Sequence, residues 1–374
     1  MKGLKYRFVK ACKFILLTFY HKPRRIFDLC CNSKKYCSHE SYFPEKKQKN
    51  QFQIFSDQLR AILNYSAINE FYFPYGFDVK STKEMDEYLH YAEFMKVRDK
   101  CNLMNRHSST FLLRNKFYFG IFTDTFGVDS GKNIALISNK LCYSITEKKT
   151  EAIDEIIATL PIGDYFVKLV GGECGCGIFR LRKDTDSIYI DGHISSIDNL
   201  MQLISTGQFL IQGKIEQHPS LSALHESSIN SIRLVTIKNV KTGDVSVFPS
   251  ILRVGTGGAF VDNTSQGGLA LGIDMQTGKL YEYGFYKPQF GTKVSKHPDS
   301  GIVFKDYSIP YFEEAKQTAM MLHTMLPDGY SVGWDVAIGK DGPIFIEGND
   351  NWEINGPQIC HGGLKNLFYE MLGV

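Results

Sequence analysis

Residues 331–351 read SVGWDVAIGKDGPIFIEGNDN, two apolar runs either side of Lys340-Asp341-Gly342, with Pro343 just beyond. Apolar runs flanking a Gly/Asp turn predict a β-hairpin. Asp335, Glu347 and Asn349 are the polar side chains that interrupt the strand bodies. A turn centred on Asp341 pairs residues at equal distances from it. Asp335 lies six before and Glu347 six after, so the two are expected to face each other. Residues two apart on a strand share a face, which adds Asn349. Opposed carboxylates, their Cβ atoms roughly 5 Å apart, repel. Set in apolar strands they require a cation, and Mg²⁺, with phosphate oxygens completing its shell, suits two carboxylates and an amide. A solvated surface hairpin is the alternative, and the apolar neighbours on both faces oppose it.

A chain of 374 residues has room for two or three domains and a sizeable core. With 43% hydrophobic and 22% charged residues it is composed like a soluble globular protein. A net charge of +3 is too small to imply nucleic acid, and none is expected as a partner. Nine cysteines, an odd number without a regular framework, read as reduced thiols of a cytoplasmic protein. Cys30, Cys31, Cys37 and His39 fall close together, but not at the spacing of a zinc site.

Residues 1–27 carry eight Lys or Arg and no acid, with Leu4, Phe8, Ala11, Ile15 and Phe19 along one helical side. Such a helix either lies on an anionic membrane at its inner face or packs on the body of the protein. Its apolar run is too short to span a bilayer. Residues 32–55 are polar and read as a linker or surface loop, so 1–55 is taken as a basic helix plus linker. Residues 56–115 read as a helical region. Ser81-Thr82-Lys83-Glu84 has the form of a capping box, opening a helix through Tyr88, Tyr91 and Met95. Beyond it strands and helices alternate: Asn133–Ser138 as a strand, 146–160 as a helix with Ile153, Ile156 and Ile157 buried, and Tyr165–Leu169 as a strand.

The strand ending in Lys168 runs into a glycine-dense turn, VKLVGGECGCGIF over 167–179, and out into another strand. Gly171, Gly172, Gly175 and Gly177 allow backbone N–H groups to converge on an anion, and Lys168 adds a positive charge. No Gly-Lys-Ser/Thr ending follows and the next segment is not helical, so neither a P-loop nor a dinucleotide fingerprint fits. A lid over a triphosphate and a plain glycine-rich turn both remain open. Cys174 and Cys176 read as small residues of the turn, with redox control a lesser alternative. FLIQGKIEQHP, 209–219, is an apolar strand leading into polar residues, the kind of hinge that takes an adenine. Gln212, Lys214, Ile215 and Gln217 are its candidate contacts.

Arg233 and Arg253 lie in neighbouring β-rich runs. An arginine in an apolar strand must be paired, either with a transferring phosphoryl group or in an internal salt bridge. The loop after Arg253 is rich in glycine and holds Asp262 and Asn263; Lys293 and His297 follow. That segment is where an acceptor substrate is expected.

Together, Lys168 with its glycine lid, the hinge strand, Arg233 and the Asp335/Glu347/Asn349 set resemble an ATP-grasp enzyme. Four runs, SSINSIRLVT, FVDNTSQGG, HPDSG and GWDVAIGKDGPIFIEGN, resemble more narrowly the sugar-transfer-associated ATP-grasp family. The resemblance covers about 110–374. It implies an α+β fold in which two subdomains grip ATP, preceded by a mainly helical N-terminal region. The ATP-grasp domain would occupy 116–374, with a lid at about 140–210 and a metal and acceptor subdomain at about 211–374. Lys116 matches the first ATP lysine of the fold and Lys168 the second. Asp335 stands where many ATP-grasp enzymes have Glu, and cysteines in the lid are unusual.

The resemblance implies ATP and Mg²⁺ as cofactors and a carboxylate–amine ligase acting through an acyl phosphate, on a sugar acid or amino acid for surface polysaccharide. Arg233 and Arg253 would be its catalytic groups. A kinase phosphorylating a sugar hydroxyl is the rival activity. A non-catalytic nucleotide-binding component of a glycan assembly complex is a third reading.

Overall fold

The computed structural model describes residues 20–103, 108–138, 141–172, 177–205 and 207–374. Most of the basic segment, Gly175 and the lid cysteines Cys174 and Cys176 lie outside the described residues. Two antiparallel sheets organise the chain. The first holds β1 (Asn133–Ser138), β2 (Leu141–Ser144), β3 (Lys149–Glu151), β4 (Gly163–Leu169), β5 (Ile178–Lys183), β6 (Ile188–Ile190), β7 (His193–Ser195) and β8 (Gln208–Gly213). Their order is β3-β2-β1-β8-β4-β5-β6-β7. Helices Ile153–Thr159 and Ile197–Ile204 pack Ile153, Ile156, Ile157, Leu200 and Ile204 on one face. Val167 and Ile211 point into that core. Side chains alternate along a strand, so Lys168 and its cross-strand partner Leu210 point the other way.

The second sheet holds β9 (Ile232–Lys238), β10 (Val245–Val254), β11 (Leu269–Ile273), β12 (Leu280–Phe285), β13 (Lys293–Val294), β14 (Ser331–Ile338) and β15 (Pro343–Asn349), ordered β13-β12-β11-β10-β9-β14-β15. Val332, Trp334, Val336 and Ile338 bury one face of β14 with Phe312, Ala315, Ala319 and Leu322 of the helix Phe312–Met325. The opposite face carries Gly333, Asp335 and Ala337, and in register with Asp335 on β9 stands Arg233. Beyond it on that strand, Val235 and Ile237 join a second cluster with Phe94, Trp352 and Phe368. The polar end of this face is where the charged residues gather.

Four local readings change. Residues 32–55 contain the helix Ser33–Cys37, and Tyr42 is fully buried, its hydroxyl donating to the Tyr286 and Gly291 carbonyls. The next helix starts at Gln51 rather than Ser56, because Asn50 and Gln53 form a capping box. Ser81 and Glu84 do form theirs, but that helix ends at Met85 and a separate one starts at Tyr91. Between them Leu89 exchanges both backbone hydrogen bonds with the Gln358 amide, at 2.7 and 3.0 Å, in place of helical partners. The expected helix at 146–160 is confined to Ile153–Thr159, since Lys149–Glu151 pairs with β2. The strands at 133–138 and 165–169 are present, the second beginning at Gly163.

Candidate functional site

The 331–351 hairpin places Asp335 directly opposite Glu347 and Gly333 opposite Asn349. Nearer the turn the register differs by one: Ile338 pairs with Pro343 and Val336 with Phe345, and a bulge after Asp335 restores the offset. A bulge adds one residue to one strand; here it lies opposite the Asp335–Val336 step, and beyond it Asp335 and Glu347 again face each other. Asp335 is 5% exposed. Its Oδ1 lies 2.6 Å from Arg233 Nε and its Oδ2 3.0 Å from Arg253 Nη2. Glu347 Oε2 lies 3.3 Å from Lys116 Nζ, and Asn349 Nδ2 donates to Glu347 Oε1 at 3.2 Å. The cation demanded by the opposed carboxylates is thus supplied first by the protein's own side chains.

Burial raises the Asp335 carboxyl above its ordinary range, against the pull of Arg233 and Arg253. Burial works the same way on Glu347, yet the Lys116 ammonium and Arg233 guanidinium hold it below the usual carboxylate range. Gly333 permits this arrangement. A Cβ there would meet Trp352 Cβ at 2.7 Å and Arg233 Cδ and Nη1 at 3.2 Å, so the arginine can lie across β14 only because no side chain is present. Arg253 is steered from behind: its Nη2 donates to Ser231 Oγ at 2.7 Å, and both Ser231 N and Oγ donate to Asp262 Oδ2.

Across from this cluster, on the first sheet, Lys168 Nζ donates to Gln212 Oε1 at 2.6 Å. The Gln212 amide nitrogen in turn donates to Ser130 O and Asn133 Oδ1, which fixes its orientation. Desolvation lowers the Lys168 pKa to about 8; Glu347 opposes the shift and Lys116 adds to it. Lys116 opens the helix Lys116–Thr125, capped by Asn115, and its Nζ donates to Gly172 O at 2.5 Å. The glycine turn is thereby held against the same cleft, whose lining includes Lys116, Lys168, Gln212, Leu210 and Ile346. Gly177 has φ +69°, a left-handed conformation that favours glycine.

The remaining candidates divide. Gln217 is committed to backbone, donating to Ser228 O and accepting from Asn230 N; Lys214 is exposed, 3.8 Å from Asp164, and Ile215 is buried. Asp262 joins the cluster through Ser231, and Asn263 caps the short turn 264–266 of the same loop. Lys293 is not brought to the site: it pairs with Glu45 and lies over the Phe43 and Tyr283 rings. Nor is His297, which is fully buried, with Nε2 on Gly255 O and Nδ1 accepting from the Asp299 and Ser300 amides. Its two polar atoms are spent on folding the loop. Ser130, Asn133 and Ser231 were not foreseen. Each acts by orienting another side chain; Ser231 lies within the run SSINSIRLVT, but the run does not say which of its side chains reaches Arg253 and Asp262.

The donor set fits a hard cation. Asp335 Oδ1 is buried and accepts no well-aligned hydrogen bond despite the nearby guanidinium, and carboxylate and amide oxygens are the ligands Mg²⁺ prefers. The nucleotide side fits as well, with two ammonium groups and a glycine turn converging beside an apolar strand.

A family model described as sugar-transfer associated ATP-grasp matches residues 98–370. No curated protein matches the chain. Among solved structures, similarity is found to N5-carboxyaminoimidazole synthetase from Staphylococcus aureus complexed with ADP, at 12% identity and TM-score 0.40, over 72% of this chain and 53% of that one. D-Alanine-D-alanine ligase from Helicobacter pylori gives 12% and 0.38, over 70% and 59%. VanG D-Ala:D-Ser ligase from Enterococcus faecalis gives 13% and 0.38, over 64% and 52%. The chain thus spans between half and three fifths of each, and at such scores the likeness carries no weight for substrate or activity.

Proposed function

Because the chain belongs to the sugar-transfer associated ATP-grasp family, we propose that it is an ATP- and Mg²⁺-dependent carboxylate–amine ligase serving surface polysaccharide synthesis. The observation that carries this reading is the convergence of Lys116, Lys168, Arg233 and Arg253 on the opposed pair Asp335 and Glu347. Phosphoryl transfer needs positioning and charge neutralisation more than a protein nucleophile, and this cluster supplies both.

In this reading Lys116 and Lys168 hold phosphate oxygens, with Gln212 aiming the Lys168 ammonium. The backbone after Gln212 receives the base between Leu210 and Ile346, and Lys214, Ile215 and Gln217 shape the hinge. Asp335, Glu347 and Asn349 would hold Mg²⁺, which when bound spreads the charge of the phosphates. Arg233 and Arg253 face the charge that develops as the γ-phosphoryl group leaves ATP for a substrate carboxylate. An amine then displaces phosphate to give the amide. The Asp262–Asn263 loop, next to Arg253, is where the acceptor approaches. Opening of the Lys116–Gly172 contact admits the nucleotide.

ATP as substrate assigns the activity to the cytoplasmic side, with residues 1–27 as a contact to the inner membrane face. No helix among the described residues is long and apolar enough to cross a membrane. Incubating the protein with ATP and a panel of sugar acids, amino acids and amines, and reading product masses, tests the proposal. Phosphate release that requires both a carboxylate and an amine is expected. Stable transfer of the γ-phosphate to a carboxylate-free sugar would refute it in favour of a kinase.

A further inference from the structure

The net charge of +3 is unevenly spread along the chain. Residues 1–50 hold 13 Lys or Arg and 3 Asp or Glu, which leaves 30 and 37 for residues 51–374, so the two parts carry +10 and −7. Such asymmetry marks a contact with an anionic surface. The described end of the basic segment shows how that contact is built. The helix Lys22–Cys31 packs Leu29, with Ile26 beside it, on an apolar cluster that includes Phe55, Leu59 and Ile62 of the helix Gln51–Tyr65. Lys22 Nζ donates to Leu63 O and ties the two helices together.

Arg24, Phe27 and Cys31 recur at spacings of three and four, so they share the helix face turned away from Leu29. All three are exposed, Phe27 at 71%. The neighbouring helix exposes Phe52 at 79% and, three turns along the same stripe, Leu63. Phe27 and Phe52 are two of the three most exposed large apolar side chains among the described residues. Arg24, Arg25, Lys34, Lys35, Lys46 and Lys47 are exposed on the same part of the chain. The acid of the first helix, Asp28, is already engaged: it accepts from Asn32 and Tyr36 and lies 3.9 Å from Arg25.

We infer that these two helices lie flat on an anionic lipid bilayer, with Phe27 and Phe52 entering the boundary between headgroups and acyl chains. Basic amphipathic helices bind in this way, apolar side chains inserting while Lys and Arg rest on lipid phosphates. Leu63, on the stripe of Phe52, offers an aliphatic surface that suits acyl chains rather than nucleic-acid bases. The inference rests on the reading of residues 1–27 as a membrane contact and extends that contact to the folded side chains of the helix Gln51–Tyr65, which fix how the body sits on the surface.

The test uses tryptophan reporters in the full chain. Both native tryptophans, Trp334 and Trp352, are buried, so a surface tryptophan reports on its own surroundings. Phe27→Trp and Phe52→Trp are each mixed with vesicles of phosphatidylcholine alone, or of phosphatidylcholine and phosphatidylglycerol in equal parts. On the anionic vesicles both reporters should shift to the blue and be quenched by brominated acyl chains. Ile194→Trp, at a comparably exposed position on the first sheet, should do neither. Phe52→Ser should weaken binding to anionic vesicles about tenfold, the scale of one phenyl ring withdrawn from an apolar phase. A response at Phe27→Trp without one at Phe52→Trp would overturn the inference and leave the contact through residues 1–27 standing. No response at either position would end both. An equal response on neutral vesicles, or release from anionic vesicles by a DNA duplex, would also overturn the assignment, the latter in favour of nucleic acid.

Discussion

Raising the pH from 7 to 9.5 perturbs one group of the proposed ATP site selectively. Lys168 ionises at about 8 rather than at the ordinary lysine value of 10.5, because desolvation disfavours its ammonium more than Glu347 supports it. If ATP binds the ammonium form, affinity is constant below about pH 8 and falls about tenfold per unit above it, ~1.4 kcal/mol for each tenfold step. The terminal phosphate of ATP ionises near pH 6 and does not contribute in this window. Stability should move the opposite way. Between about 8 and 10.5 the unfolded chain keeps this proton while the folded one has lost it, so Lys168 makes stability rise with pH, by at most about 3 kcal/mol over the window. Calorimetric titration of ATP at constant ionic strength, from pH 7 to 9.5, reads the first effect. Lys168→Arg stays charged throughout and should flatten the profile, whatever its absolute affinity. A wild-type profile flat to pH 9.5, or the same decline in Lys168→Arg, would show that this ammonium does not hold the phosphates.

Gly333→Ala adds a methyl group 2.7 Å from Trp352 Cβ and 3.2 Å from Arg233, and should cost ~1–3 kcal/mol in urea denaturation, as overpacking does. Glu347→Gln removes the partner of Lys116 and should lower ATP-dependent product formation at least 100-fold, on the scale of lost electrostatic stabilisation, with a near-native circular dichroism spectrum. The cluster brings Lys116, Lys168, Arg233 and Arg253 against Asp335, Glu347 and Asp262, four cations to three carboxylates. A divalent cation alone is therefore repelled, and calorimetry should detect Mg²⁺ binding only when nucleotide is present. Asn50→Ala removes the cap of the helix Gln51–Tyr65 and should cost about 1 kcal/mol of stability.

The hairpin shows what was legible and why. Alternation and a turn signal were enough to place Asp335 opposite Glu347 and to put Asn349 on their face, since β geometry is local and its period is two. The bulge beside them was not legible: Ile338 pairs with Pro343, one residue off the expected centre, and the register at the site is recovered only further along. Apolar runs also marked β4, β8 and β9, and with them Lys168, Gln212 and Arg233. What stayed hidden depends on partners distant in sequence. Leu89 leaves the helical pattern because Gln358, on a helix of residues 355–361, takes its backbone bonds. His297 looked available to an acceptor substrate because nothing local says that Gly255 and its own loop would consume both nitrogens. The demand for a cation between the carboxylates was sound physics with more than one solution. The structure answers it with Arg233, Arg253 and Lys116; the sequence left each arginine as either a phosphoryl partner or half of an internal salt bridge, and in the proposed function the groups that balance the acids are the ones a nucleotide would draw away. In that reading nucleotide binding would free the carboxylates for Mg²⁺, which would link metal affinity to nucleotide affinity through the same cations.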